Sequence, residues 1–186
     1  MNELAKTKKI KSADGVALPY FEYKRNNKSD SAIVLIYEIF GMTNHIHKLA
    51  NAFAENGFIV HVPDIFSRIE KNVALPYNRE GYDKGISLKE KIGWQIPVMD
   101  IVSCASQLKR NFNVTVLGYC FGGSLGWLAM QKSFIFDKGV CYYGSSISDF
   151  LNNNINCPAM LHFGKKDKGI PAKSIGKIKA YTSQQQ

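Results

Sequence analysis

Residues 31–37, SAIVLIY, form a run of β-branched and apolar side chains without polar alternation, and this segment constrains the fold more than any other. A strand that is apolar on both sides must be covered on both faces, the condition met in a parallel sheet flanked by helices. The chain repeats that arrangement. Residues 43–56 place Ile46, Leu49, Ala50 and Phe53 at helical spacing and end before Gly57, a residue suited to stopping a helix. Residues 58–62 read as the next strand. Residues 87–110 carry Ile92, Ile96, Met99, Val102 and Leu108 at helical spacing, with a bend or restart expected near Pro97. Strands over 114–117, 138–143 and 159–163 follow, separated by a small-residue helix over 123–132, and a final helix is expected over 172–181.

Ahead of the first buried strand, residues 9–23 hold two short runs around Asp14-Gly15, a hairpin signal at a sheet edge. Residues 63–85 have no strong period and contain Pro63, Pro76, Gly81 and Gly85. They read as a long excursion with one helical turn, of the kind that lies over active sites. The expected fold is α/β: one domain over 1–186, a doubly wound, mostly parallel sheet with an N-terminal edge hairpin.

Composition narrows the function classes. With 186 residues and 45% hydrophobic content the chain can bury one sizeable core. Lys6, Lys8, Lys9 and Lys11 near the start are not followed by an apolar stretch, and no run approaches ~18 apolar residues, so a soluble cytoplasmic protein without a membrane partner is expected. Cys104, Cys120, Cys141 and Cys157 lack C-x-x-C spacing, which argues against a zinc site or a disulfide framework. The net charge of +9 comes from scattered lysines, and the densest group, Lys165, Lys166 and Lys168, lacks interleaved aromatics, so no nucleic-acid partner is expected. No metal or nucleotide motif occurs; the reading is of a monomer without cofactor.

Gly118-Tyr119-Cys120-Phe121-Gly122 lies between a buried strand and a helix of small residues, the context of a nucleophile elbow. Glycines two residues before and after the nucleophile let strand and helix approach without a Cβ clash. The helix N-terminus beneath the sulfur is expected to favour thiolate and lower the thiol pKa. The structural alternative is an inert packing cysteine.

GYCFGG at 118–123 and YEIFG at 37–41 resemble the dienelactone hydrolase family, and the likeness continues, in the family's order, through VPDIFSR at 62–68, YYG at 142–144 and FGKKD at 163–167. The resemblance covers nearly the whole chain and implies the α/β-hydrolase fold and hydrolysis of a small-molecule ester or lactone. It implies Cys120 as nucleophile, Asp167 as triad acid and Glu38 as a carboxylate contacting the thiol before substrate arrives. Main-chain N–H groups of Ile39 and Phe121 are the expected oxyanion donors. Asp167 also reads as an ordinary turn residue. Arg68 and Arg79, in the excursion, are candidate anchors for an anionic substrate and read equally as surface cations.

In this fold a histidine follows the acid after one more helix and strand. Nineteen residues follow Asp167, whereas a loop, helix, loop and strand need about 25 to 30, so the last strand and helix are expected to be missing. His45, His47, His61 and His162 read as structural, with His45 the nearest substitute because it begins a helix close to Glu38. A hydrolase impaired in turnover is the first expectation. A non-catalytic binding or regulatory relative using the same pocket is the second.

Overall fold

A computed structural model describes residues 5–25 and 29–184. Among these residues seven strands, β1 (Ala5–Lys11), β2 (Ala17–Tyr23), β3 (Ser31–Ile36), β4 (Ile59–Pro63), β5 (Asn113–Tyr119), β6 (Lys138–Tyr142) and β7 (Ala159–His162), form one sheet in the order β1-β2-β4-β3-β5-β6-β7. The five central and C-terminal strands are parallel; β1 and β2 add an antiparallel edge. Five helices among the described residues, α1 (Asn44–Glu55), α2 (Arg79–Ile92), α3 (Gln95–Lys109), α4 (Phe121–Lys132) and α5 (Ala172–Ser183), complete the alternation. None of them is long and apolar enough to cross a membrane.

The strand order reverses beside β3. From β3 the chain crosses through α1 to β4 on one side, then returns through α3 to β5 on the other. Right-handed crossovers in opposite directions put α1 and α3 on opposite faces. Phe21 accordingly meets His47 of α1 with ring centroids 5.9 Å apart, while its neighbour Glu22 points the other way, towards His61 and Cys104 of α3. A crevice outside the carboxyl ends of β3 and β5 follows from that reversal, and ligands bind at such switch points. At the far end of the sheet, β7 has no strand on its outer side among the described residues, and Met160 there is exposed.

Two expectations need correction. The long helical period over 87–110 is two helices, and the break is at Gly93, whose φ of 65° is left-handed, rather than at Pro97. Pro97 lies in the first turn of α3, where a missing N–H costs no helical hydrogen bond. The excursion is also shorter than expected: after a 3-10 turn over Ile65–Arg68, α2 begins at Arg79, with the Asn78 side chain accepting the Gly81 N–H at 2.9 Å. Its first turns, REGYDKG, are too polar for an apolar period to reveal.

Candidate active site

Cys120 sits at the junction of β5 and α4 with φ 56° and ψ −116°, a conformation that L side chains rarely adopt. Close packing enforces it. A Cβ on Gly118 would lie 2.0 Å from the Gly122 carbonyl oxygen, and one on Gly122 would lie 2.3 Å from that of Ile36. Only glycine fits at either place. The Cys120 N–H donates to the Tyr142 carbonyl at 3.0 Å, and its carbonyl accepts from Ser124 N–H at 3.1 Å, so both main-chain groups are satisfied within the strained turn.

Glu38 and Ile39 follow β3 on the other side of the switch point. Their loop is fixed by residues 73–77: Met42 N–H donates to the Val73 carbonyl at 2.7 Å and Leu75 N–H to the Phe40 carbonyl at 2.8 Å. Glu38 accepts two phenols, Tyr77 at 2.8 Å and Tyr143 at 2.7 Å. Tyr77 brings the excursion over this edge of the sheet, resting on Phe40 with centroids 4.6 Å apart. The two tyrosines hold the carboxylate that was expected to contact the thiol.

The electrostatics of Cys120 differ from the expectation. Burial pushes its thiol up, and the negative charge of Glu38 adds to the rise. The main-chain N–H of Phe121, the positive charge of Lys89 and the Ile39 N–H act in the opposite direction without overcoming it. The favourable helix end is present, but desolvation outweighs it. Lys89, on α2, lies over the Trp94 and Phe121 rings at 5.2 and 5.9 Å, a placement that sequence reasoning missed. The signal available was its position five residues before Trp94 across a helix-breaking glycine.

Asp167, Arg68 and Arg79 each have partners of their own. Asp167 is exposed, and its Oδ1 accepts the Gly169 N–H at 2.8 Å, which makes it a turn residue in this geometry. Arg68 is engaged by two carboxylates: Nε donates to Asp100 at 2.9 Å, Nη1 to Asp14 at 2.8 Å, and Nη2 to both. Since Asp100 is fully buried and also accepts the Ser12 hydroxyl at 2.6 Å, Arg68 ties the hairpin turn to α3 rather than standing open to a ligand. Arg79 pairs with Asp83 one turn along α2, with 86% of its side chain exposed. His47 meets the Tyr23 hydroxyl, His61 meets Glu22, and His162 stacks on Tyr142 with centroids 4.4 Å apart. His45 lies exposed in the first turn of α1. Among the described residues no group of three or more His, Cys, Asp or Glu could hold a metal ion.

The chain is similar to carboxymethylenebutenolidase from Pseudomonas putida, 27% identical over 149 residues that cover 76% of this chain and 63% of that protein. It is 30% identical over 166 residues to carboxymethylenebutenolidase 1 from Cupriavidus pinatubonensis, covering 85% of this chain and 70% of that one. It thus spans less than two thirds of the length of the Pseudomonas relative. Among solved structures, a dienelactone hydrolase-like promiscuous phosphotriesterase from metagenomic libraries superposes with a TM-score of 0.72 at 16% identity, covering 97% of this chain and 77% of that one, a likeness of α/β-hydrolase fold. The dienelactone hydrolase family model matches residues 20–186, which run from within β2 through α5 and include the whole crevice around Cys120. The chain belongs to the dienelactone hydrolase family.

Proposed function

We propose that this chain is a carboxylic ester or lactone hydrolase in which Cys120 is the nucleophile and an acyl-enzyme forms. The observation that carries the reading is the geometry of Cys120: a left-handed residue wedged between two glycines at the carboxyl edge of β5, with the N–H groups of Phe121 and Ile39 turned towards its sulfur. Those two donors come from opposite sides of the switch point, where a tetrahedral oxyanion would need them. In the acylation step the Cys120 Sγ attacks the carbonyl carbon, the S–C bond forms, and the carbonyl oxygen takes the negative charge. Collapse breaks the acyl C–O bond, and the alkoxide leaves as the alcohol with the proton that the thiol gave up. Water then cleaves the thioester to release the acid.

Lys89 is the cation that partly offsets the burial of the thiolate in this reading, and Glu38, held by Tyr77 and Tyr143, keeps the thiol protonated before substrate arrives. Asp167 is the proposed acid of the relay. The histidines engaged at Tyr23, Glu22 and Tyr142 do not serve the thiol, so acylation is expected to outrun turnover by a factor on the order of 10³.

A second reading, a non-catalytic small-molecule-binding relative, is favoured by the upward push on the Cys120 thiol. One experiment separates the two. With a p-nitrophenyl ester, the hydrolase reading expects a stoichiometric burst and an acyl adduct on Cys120 by mass spectrometry, both absent in C120A. A reversible complex without adduct would support the binding reading instead.

A further inference from the structure

A cavity of about 550 Å³ opens on the face of the sheet that carries α1, between the β1–β2 hairpin and the segment after β4, and its lining includes none of the groups assigned to the Cys120 site. Its floor is the outer side of the hairpin. Register sets Thr7 opposite Phe21 and Lys9 opposite Pro19, so these four side chains share one face. Phe21 touches α1 through His47, but the surface continues over Pro19 and Ala17 to Val16, which is 45% exposed. Lys71 and Asn72 complete the rim from the other side.

The charges around the cavity are unbalanced. Three lysines elsewhere in this chain sit beside acids: Lys8 on Glu22, Lys84 on Glu70, Lys109 on Asp137. Lys9 and Lys71 have no acidic partner among the described residues, and they share one concavity with an apolar floor. Arg68, also in the lining, is already bound by Asp14 and Asp100. The lining carboxylate, Asp64, is 4% exposed, accepts the Tyr37 hydroxyl at 3.3 Å, and is pushed towards its neutral form by burial. It is turned to the phenol of Tyr37 and pairs with neither rim lysine among the described residues.

We propose that this groove binds a small amphipathic anion, of which an aryl carboxylate is the simplest form, with its ring on Pro19 and Phe21 and its carboxylate at Lys9 and Lys71. An aromatic ring covers apolar surface that the fold leaves open at Pro19 and Phe21. The carboxylate meets two ammonium groups that are free to reorient on flexible stems. The inference is independent of the chemistry assigned to Cys120.

Titration calorimetry with 2-naphthoate, with neutral 2-naphthamide as control, tests it on the whole chain. Naphthoate is expected to bind saturably, roughly 5- to 10-fold tighter than naphthamide, as two exposed charge contacts allow. Lys9→Gln with Lys71→Gln should bring naphthoate down to the naphthamide level, and C120A should leave both unchanged. Amide shifts in two-dimensional NMR are expected at Thr7, Lys9, Phe21 and Asn72. Absence of saturable binding, equal affinity for the two probes, an unchanged double variant, or shifts confined to Cys120 and its neighbours would each overturn the proposal.

Discussion

Glu38 and Tyr143, 105 residues apart in sequence, are joined by a 2.7 Å hydrogen bond across the crevice in front of Cys120. The phenol is itself held in a left-handed turn at φ 39°, so the chain strains its backbone to deliver a donor to that carboxylate. The charge so fixed bears on the nucleophile. Because Glu38 raises the Cys120 thiol pKa, E38Q should move the midpoint of the pH profile for iodoacetamide alkylation of Cys120 to lower pH. An upward or absent shift would show that the carboxylate does not act on the sulfur.

Lys89 acts with the opposite sign. K89Q should move the same midpoint to higher pH and slow alkylation by iodoacetate more than by neutral iodoacetamide, because a nearby cation also concentrates the anionic reagent. The ratio of the two rates is the measurement, and a merely structural role for Lys89 would leave that ratio unchanged.

The elbow predicts a contrast between two glycines. At Gly122 a Cβ would lie 2.3 Å from a backbone oxygen that cannot move without disrupting β3, so G122A should cost about 3 kcal/mol or more. At Gly57, φ is 91° and nothing lies within 4 Å of the added carbon, so G57A should cost only about 1 kcal/mol of backbone strain. Urea midpoints of the two variants measure the difference.

A buried relay on the α3 side makes stability depend on pH. His61, 3% exposed, is pushed down to about 4 by burial, with Nε2 3.2 Å from Glu22 and Nδ1 3.8 Å from the Cys104 thiol. The unfolded chain takes up this proton near 6.5 and the folded one only near 4, so stability is full above 6.5 and falls as pH drops through that window, by about 3 kcal/mol. Glu22, whose pKa is lowered, adds loss of the same sign at the acid end. H61Q should flatten the dependence of the urea midpoint between pH 6.5 and 4, and a slope equal to that of the natural chain would remove His61 as its source.

The two arginines differ in the same assay. R68A leaves Asp100 buried without its cation and should cost about 3 kcal/mol, whereas R79A should leave the urea midpoint where it was.

What the sequence disclosed was whatever local sterics determine. Asp14-Gly15 marks the hairpin, and the spacing of Gly118, Cys120 and Gly122 marks the elbow, because each is a constraint on consecutive residues. The break between α2 and α3 stayed hidden because the apolar positions Leu88 and Ile92 run on into Val98 and Ile101 with little loss of phase. Long-range pairing was hidden for a different reason. Nothing in YYG says that its second tyrosine will reach a carboxylate two strands away, and nothing in VPDIFSR says that its arginine will be taken by acids from a turn and a helix. The thiol pKa was misjudged because a helix N-terminus can be read in sequence while desolvation cannot.

The two margins of the sheet are unequal as templates. Strand β1 offers Lys6, Lys8, Lys9 and Lys11 along seven residues, a density of ammonium groups that repels any strand seeking to hydrogen-bond beside it. Strand β7, AMLH, presents no permanent cation and leaves Met160 58% exposed. A strand that adds to this sheet is therefore expected beside β7 and not beside β1.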